Sequence, residues 1–162
     1  MPEPGCGPGE VGLAWDETSL WGTWENDVIQ INPGTGLVIS KFSADLYGLS
    51  LTWDGDYLWL ADSGGSLSVY DVKGNRQRHL AVPTLMLSGI TWAKNELWIL
   101  DEWGLLTRFD QDLLMVDSFS LSNECGISSY HMQMMFGLFW DGSSLWVADP
   151  VNDRIYQCAP AN

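Results

Sequence analysis

The chain has 162 residues, of which 46% are hydrophobic, and it carries 21 acidic against 7 basic residues for a net charge of −14. A protein that binds phosphate backbones needs a basic face, so this balance argues against a nucleic-acid partner. No apolar run approaches the roughly 18 residues of a membrane span, and no basic, apolar signal segment begins the chain, so we expect no membrane insertion.

Pairs of tryptophans, six residues apart within each pair, recur four times at a period of about 40 residues, with a longer last step. The pairs are Trp15 and Trp21, Trp53 and Trp59, Trp92 and Trp98, and Trp140 and Trp146. Leu precedes the second Trp every time, and a branched aliphatic residue stands two positions before the first. We therefore predict that both tryptophans of each pair are buried in the hydrophobic core. A repeat of this size, made of short alternating segments, is typical of β-propeller blades.

Each copy predicts a hairpin and a third strand, and the first three copies predict a fourth strand. Third strands are expected over Val28 to Asn32, Leu67 to Asp71, Leu106 to Asp110 and Ile155 to Cys158, and fourth strands over Leu37 to Phe42, Gln77 to Val82 and Leu113 to Phe119. Copies two and four contain Asp-Gly, which supplies the positive φ angles of a tight turn, whereas copies one and three are expected to use a looser turn. The predicted fold is an all-β propeller of four blades with about fifteen strands.

We interpret the chain as a single domain of residues 1–162, with blades at about 12–47, 48–86, 87–122 and 137–162 and an insertion at 120–136. The fourth copy has no outer strand, and an unpaired strand edge recruits other chains. The Pro- and Gly-rich start of the chain is poor strand material. Three arrangements are open: a compact four-bladed ring, which the length favours, a larger ring completed by a second chain, or an edge filled by a neighbouring molecule.

The three cysteines lack zinc spacing, but the topology of the blades ranks their pairings. Cys6 and Cys125 lie in segments that enter blades one and four on one face, whereas Cys158 ends a third strand on the other. We expect Cys6 to pair with Cys125, with Cys6 and Cys158 as the second choice; three reduced thiols are the alternative. Either crosslink would tie the first blade to the last and would imply an extracellular or periplasmic location.

Two segments carry a resemblance to known proteins, and they are Leu51-Thr-Trp-Asp-Gly-Asp-Tyr-Leu-Trp-Leu-Ala-Asp62 and Gly137-Leu-Phe-Trp-Asp-Gly-Ser-Ser-Leu-Trp-Val-Ala-Asp149. They resemble the blade repeats of secreted bacterial and archaeal propellers, which include glutamine cyclotransferase-like, NHL-like and streptogramin-lyase-like groups. The resemblance covers nearly the whole chain and implies a secreted propeller. It transfers no function, because enzymes, binders and scaffolds share this blade chemistry.

The copies differ at the third residue after the second Trp, which is Asp62, Asp101 and Asp149 in copies two to four but Trp24 in copy one. The Asp side chains are expected to accept hydrogen bonds from the backbone of the turns that follow. Trp24 and Trp103 are not required by the repeat. Both are predicted in loops between the second and third strands, which lie on the same face as the insertion.

This face is the predicted binding site. It collects Trp24, Trp103, Tyr130, His131 and Glu102, with further carboxylates at Glu25, Asp27 and Glu124. Aromatic platforms flanked by carboxylates suit sugars or cationic groups, so the expected partner is a protein or carbohydrate ligand, or further copies of the chain. The alternative is that the two tryptophans cover the core of the ring or bury a contact with another chain.

Three functions are consistent with these residues. The favoured one is a non-enzymatic binding or assembly module, because blade folding explains the repeated residues. The second is a small secreted enzyme of lyase or cyclotransferase type, in which His131 works with Glu102 or Glu124; His79 falls in an expected outer strand. The third is a structural subunit that polymerises through an open strand edge. We expect no cofactor and no metal, since the methionines beside His131 are more often core than copper ligands.

Overall fold

The computed structural model describes residues 12–24, 26–44, 50–62, 64–82, 87–124, 137–149 and 152–158. These residues form fifteen strands and one helical turn. Blade one contains β1 Leu13–Trp15, β2 Leu20–Trp24, β3 Asp27–Ile31 and β4 Val38–Ser43, and blade two contains β5 Ser50–Trp53, β6 Leu58–Ala61, β7 Ser66–Tyr70 and β8 Arg76–Ala81. Blade three contains β9 Leu87–Ala93, β10 Glu96–Asp101, β11 Leu105–Phe109 and β12 Met115–Ser120, followed by α1 Leu121–Glu124, and blade four contains β13 Leu138–Trp140, β14 Leu145–Asp149 and β15 Arg154–Cys158.

The four antiparallel sheets are the blades of a β-propeller, which confirms the predicted all-β, four-bladed fold. In the described part of the chain, blade four has three strands. The inner strands β1, β5, β9 and β13 lie side by side in that order. Gly12 and Gly89 permit this approach, because a Cβ on them would lie 2.8 Å from the nitrogen of Leu51 and 3.0 Å from that of Leu138.

Three hydrophobic cores join successive blades. The first core contains Trp21 of blade one with Leu58 of blade two, and the second contains Trp59 of blade two with Ile99 of blade three. The third joins blades three and four in the same way. Each blade therefore has a leading face toward the preceding blade, such as Leu58 in blade two, and a trailing face toward the next, such as Trp59. No helix in the described residues is long and apolar enough to span a membrane.

The repeated tryptophans are buried unequally, which corrects the prediction that every pair is core. The second Trp is 0% exposed at Trp21, 4% at Trp59 and 1% at Trp98. Trp146 is half-buried, however, and Trp15 is 49% exposed. Trp15 pairs with Leu20 and Trp21 with Ala14 across one hairpin, so the two members of a pair point to opposite faces. The second Trp packs toward the next blade and the first toward the preceding blade.

The first hairpin of each blade corrects the turn prediction for copies one and three. Copy one has the same loop as copies two and four, with Glu17 at φ 74° where those copies have Gly55 at 110° and Gly142 at 97°. Copy three has a tighter two-residue turn in which Lys94 and Asn95 take φ angles of 53° and 63°. Neither copy uses the looser turn that the absence of Asp-Gly suggested, because non-glycine residues adopt the left-handed conformation in both.

Candidate functional site

The predicted binding face is described in two blades. Trp24 is the last residue of β2 and pairs with Asp27 of β3, so it ends a strand and does not lie in a loop as predicted. Its side chain is 37% exposed. Trp103 lies in the turn between β10 and β11, as predicted, and is 56% exposed. Glu102, beside it, is half-buried.

The remaining predicted site residues lie outside the described part of the chain. They are Glu25, Tyr130, His131 and the side chain of Glu124. The predicted site residues that the structure describes are Trp103 and Glu102 in blade three and Trp24 in blade one. His79, which the sequence placed in an outer strand, does lie in β8, where its Nδ1 is 3.0 Å from the Oγ of Ser68.

The repeated Asp after each second strand has the structural role that the sequence predicted. Oδ1 accepts a backbone hydrogen bond at Asp62 from Ser66, at Asp101 from Trp103 and Leu105, and at Asp149 from Asn152, over 2.8 to 3.1 Å. Blade one has no Asp at this position. Its second turn is shorter, because Trp24 and Asp27 pair directly across it. Trp24 therefore occupies the position of a turn-forming Asp without replacing its hydrogen bonds.

Asp101 fixes the turn that presents Trp103. The carboxylate is 7% exposed, and burial raises its pKa although the backbone N–H groups of Leu105, Trp103 and Gly104 oppose the rise. Gly104 also donates to the carbonyl oxygen of Asp101 over 3.1 Å. These hydrogen bonds fix the turn from its buried side, while Trp103 and the 39% exposed Leu105 face solvent. A raised pKa means that the folded state favours the protonated carboxyl, so this contribution to stability is lost as pH rises through the folded pKa.

Cys158 changes the expected disulfide. It ends β15, is 4% exposed and is disulfide-bonded. Its possible partners, Cys6 and Cys125, lie outside the described residues. Because a sulfur forms one disulfide, a bond at Cys158 excludes the pairing of Cys6 with Cys125 that we expected first. The pairing of Cys158 with Cys6, our second choice, is one of the two that remain.

The part of the chain that the structure describes contains no cluster of metal ligands. No three His, Cys, Asp or Glu side chains there are grouped as ligands of one ion. Many of the carboxylates instead accept hydrogen bonds from the backbone of turns, as Asp71 does from Lys73 and Asn75.

Sequence reasoning missed a bond between the repeated tryptophans and an aspartate. The indole Nε1 donates to Oδ2 of the Asp five residues earlier, from Trp21 to Asp16 and from Trp59 to Asp54 over 2.6 Å, and from Trp146 to Asp141 over 2.7 Å. The signal was present, since Asp follows the first Trp in copies one, two and four. Copy three has Ala93 there, and among the described residues the buried Nε1 of Trp98 has no partner.

Comparison with known proteins establishes the fold and no family. No family model matches the chain, and no curated protein matches it. A catalytically inactive virginiamycin B lyase from Staphylococcus aureus is 19% identical with a TM-score of 0.63, over 92% of this chain and 51% of that one. A glutaminyl cyclase from Myxococcus xanthus is 16% identical with a TM-score of 0.70, over 90% and 70%. The Cps50 β-propeller domain from Myceliophteria thermophila is 14% identical with a TM-score of 0.61, over 86% and 48%.

This chain therefore spans about half the length of two of these three proteins. Identities this low carry similarity of fold without transferring a reaction or a ligand. The resemblance to secreted bacterial and archaeal propellers stays a prediction at the level of the family. The chain is a β-propeller.

Proposed function

We propose that this chain is a non-enzymatic binding module of an extracellular β-propeller, and that its ligand docks around Trp103. The observation that carries the proposal is the exposure of this indole, at 56%, on a turn fixed by the buried Asp101. Trp103 takes no part in the three cores between the blades. A rigid, exposed Trp offers a large contact area at a small entropic cost, which is typical of binding hot spots.

The chemistry beside Trp103 suits a carbohydrate or a basic protein segment. Glu102 precedes Trp103 in the chain and is half-buried, and Leu105, two residues after Trp103, is 39% exposed. A sugar ring stacks on such an indole and hydrogen-bonds to a carboxylate, while Lys or Arg is attracted by both groups. The net charge of −14 also favours a cationic partner. Trp24 is a second aromatic group for such a ligand.

The disulfide at Cys158 supports an extracellular or periplasmic location. Structural disulfides persist in oxidising compartments and are rare in the cytosol. The bond is at the end of β15, where blade four has its third and last described strand. A crosslink there stabilises the outermost described strand of blade four.

The binding role is tested by Trp103→Ala, measured by isothermal titration with three probes: a soluble β-glucan, a chitin oligosaccharide and a lysine-rich peptide. We expect affinity for the probe that binds to fall about tenfold or more, because a hot-spot Trp contributes about 2 kcal/mol. Met115→Ala is the matched control, since Met115 is 64% exposed in the same blade but on its outer strand. Trp24→Asp, which installs the residue of the sister copies, tests the second indole.

The proposal fails if a probe binds and Trp103→Ala weakens it no more than Met115→Ala does. It also fails if none of the three probes binds. Circular dichroism and thermal unfolding of both variants establish that the fold is intact. An effect confined to Trp24→Asp would move the site from blade three to blade one.

A small secreted enzyme is the second candidate, and the similarity to a lyase and a cyclase favours it. In that case His131 would act as acid or base with Glu102 or Glu124 as its carboxylate partner. A turnover that disappears in His131→Ala but persists in Trp103→Ala would establish catalysis in place of binding.

A further inference from the structure

The series of blades ends in two exposed apolar faces. Four blades share three cores, one between each successive pair, and the described residues contain no fourth core between blade four and blade one. At one end, the leading face of blade one exposes Leu13 at 58% and Trp15 at 49%. At the other end, the trailing face of blade four exposes Phe139 at 59% and Ile155 at 70%.

The same positions are buried wherever a neighbouring blade follows or precedes. Leu13 stands two residues before the first Trp, and its counterparts Leu51, Ile90 and Leu138 are at most 7% exposed. Ile155 pairs with Ala148, and the residues in the same register of blades one to three are Val28, Leu67 and Leu106, each 0% exposed. The exposure thus follows from position in the series and not from the type of residue.

The leading face of blade one is a continuous surface. A Cβ built on Gly22 would lie 3.5 Å from Leu13 and 3.6 Å from Ile29, so these residues share one side of the sheet. Trp15 pairs with Leu20 on the same side. The trailing face of blade four is equally continuous, since Phe139 pairs with Trp146, and it also contains Ala148, Ile155 and Gln157.

The interfaces inside the chain show how two such faces fit. The trailing Trp59 of blade two stacks on the leading Trp92 of blade three, with ring centroids 5.3 Å apart and an interplanar angle of 29°. The backbone N–H of Trp92 donates to the hydroxyl of Thr52 over 3.0 Å. At the two ends of the series, the corresponding indoles are Trp146 and Trp15. Neither indole stacks on another aromatic ring of the described residues, so each offers the ring that the other would stack on.

The charge on these two faces is small for so acidic a chain. Lys41, which lies opposite Ile29 on the leading face of blade one, forms an ion pair of 2.6 Å with Asp27. The strand side chains of the other face, which are Phe139, Trp146, Ala148, Ile155 and Gln157, are uncharged. Asp141, in the adjoining turn, accepts the indole N–H of Trp146 over 2.7 Å, as Asp54 does from Trp59 in the contact between blades two and three. Two chains of charge −14 can therefore approach through these faces without burying an unpaired charge.

We propose that a second copy of this chain covers both faces and that two copies form an eight-bladed ring. The trailing face of blade four in each copy packs on the leading face of blade one in the other, so Trp146 meets Trp15 twice. A two-fold axis uses both faces of both copies and leaves none exposed, which closes the assembly. Rings of four to eight blades occur among propellers. The contact surface lies apart from Trp103, so its test is independent of a ligand bound there. Trp24 shares the side of the sheet that carries Gly22 and Ile29, so Trp24→Asp tests ligand binding only in the monomeric chain.

The test is the mass in solution, measured by sedimentation equilibrium from about 1 to about 100 μM chain. We expect twice the 18.1 kDa mass of one chain. Trp15→Glu and Phe139→Glu each place a charge in the contact and should raise the dissociation constant about tenfold or more. Met115→Glu, at an apolar residue of an outer strand that is 64% exposed, should leave the dissociation constant unchanged. Both contact residues are exposed in a single chain, so circular dichroism should show folded variants.

Mixing the two variants provides a second measurement. Trp15→Glu alters only the leading face of its chain, and Phe139→Glu alters only the trailing face. A mixed dimer therefore contains one contact in which both faces are unaltered, whereas each variant alone has an altered face in both contacts. We expect the mixture to associate more tightly than either variant alone. A chain that stays monomeric over the whole range, a dimer insensitive to both contact variants, or an open-ended series of oligomers would each overturn the proposal.

Discussion

At the scale of single residues, the indole N–H of the second Trp decides how its hairpin is held. Trp21, which packs in a core shared with the next blade, donates its indole N–H to Asp16. Burial of Asp16 would raise its pKa, but the bonds from Trp21, Thr18 and Ser19 outweigh it, and the pKa is lowered. Trp98 has no such acceptor in the described residues, and the guanidinium of Arg108 lies 5.4 Å from its ring centroid.

This contrast predicts unequal effects of removing the same N–H group. Trp21→Phe breaks a hydrogen bond to a charged acceptor, so it should lower the free energy of unfolding by about 1–3 kcal/mol more than Trp98→Phe does. The loss of ring volume is matched in the two variants. Urea unfolding monitored by circular dichroism measures the difference. Equal losses would show that the bond to Asp16 contributes nothing.

At the scale of elements, the acidity of the chain is concentrated in the turns that separate the strands. The first turn of a blade uses Asp16, Asp54 or Asp141, the second uses Asp62, Asp101 or Asp149, and the third uses Asp71 or Asp110. In each case an Asp oxygen accepts backbone N–H groups two to four residues ahead, as Asx turns do. These carboxylates are therefore one means by which the short strands reverse direction.

These turns predict a stability that falls in acid. The bond from Trp146, followed by those from Ser144 and Ser143, holds the pKa of Asp141 well below its usual range, and the pKa of Asp16 is lowered too. A lowered folded pKa adds stability above the unfolded value of about 4, and this stability is lost as pH falls through the folded pKa. The double variant Asp16→Asn, Asp141→Asn should therefore lose less stability than the wild type between pH 5 and pH 2 in urea titrations.

Asp101 supplies the opposite control, because burial raises its pKa. Ionisation of Asp101 lowers the free energy of unfolding as pH rises, whereas ionisation of Asp16 and Asp141 raises it. Asp101→Asn should therefore make stability rise more steeply with pH. If the double variant and Asp101→Asn change the slope in the same direction, the turn carboxylates do not account for the acid sensitivity.

At the scale of the whole molecule, stability comes from the cores between blades. Trp59 is buried between blades two and three, whereas Trp146, its counterpart in blade four, is half-buried at the end of the series. Trp59→Ala should cost about 3–5 kcal/mol in denaturant unfolding, as large aromatic truncations in cores do. Trp146→Ala should cost less at dilutions where the chain is monomeric. A loss below about 1 kcal/mol for Trp59→Ala would contradict a core role.

The sequence alone determined the fold class, because a propeller blade is specified locally. Alternating strands and turn residues are written into each copy, and the predicted third strand at Val28 to Asn32 differs from β3 by one residue at each end. The exposure of Trp103 was also predictable, because this residue stands outside the repeat and is not required for the core of a blade. The hydrogen-bonding role of Asp101 followed from its place before a turn.

The tertiary structure alone decided which copies of a repeated residue are buried. Trp15 and Trp21 belong to one hairpin, yet one is 49% exposed and the other 0%, because burial depends on whether another blade covers that face. The same reason separates Ile155 from its buried counterparts. Contacts between blades join residues some 40 positions apart, as between Ile90 and Ser50, and local sequence does not encode them. The copies are alike in sequence, but the blades that lie next to each copy determine which of its residues are buried.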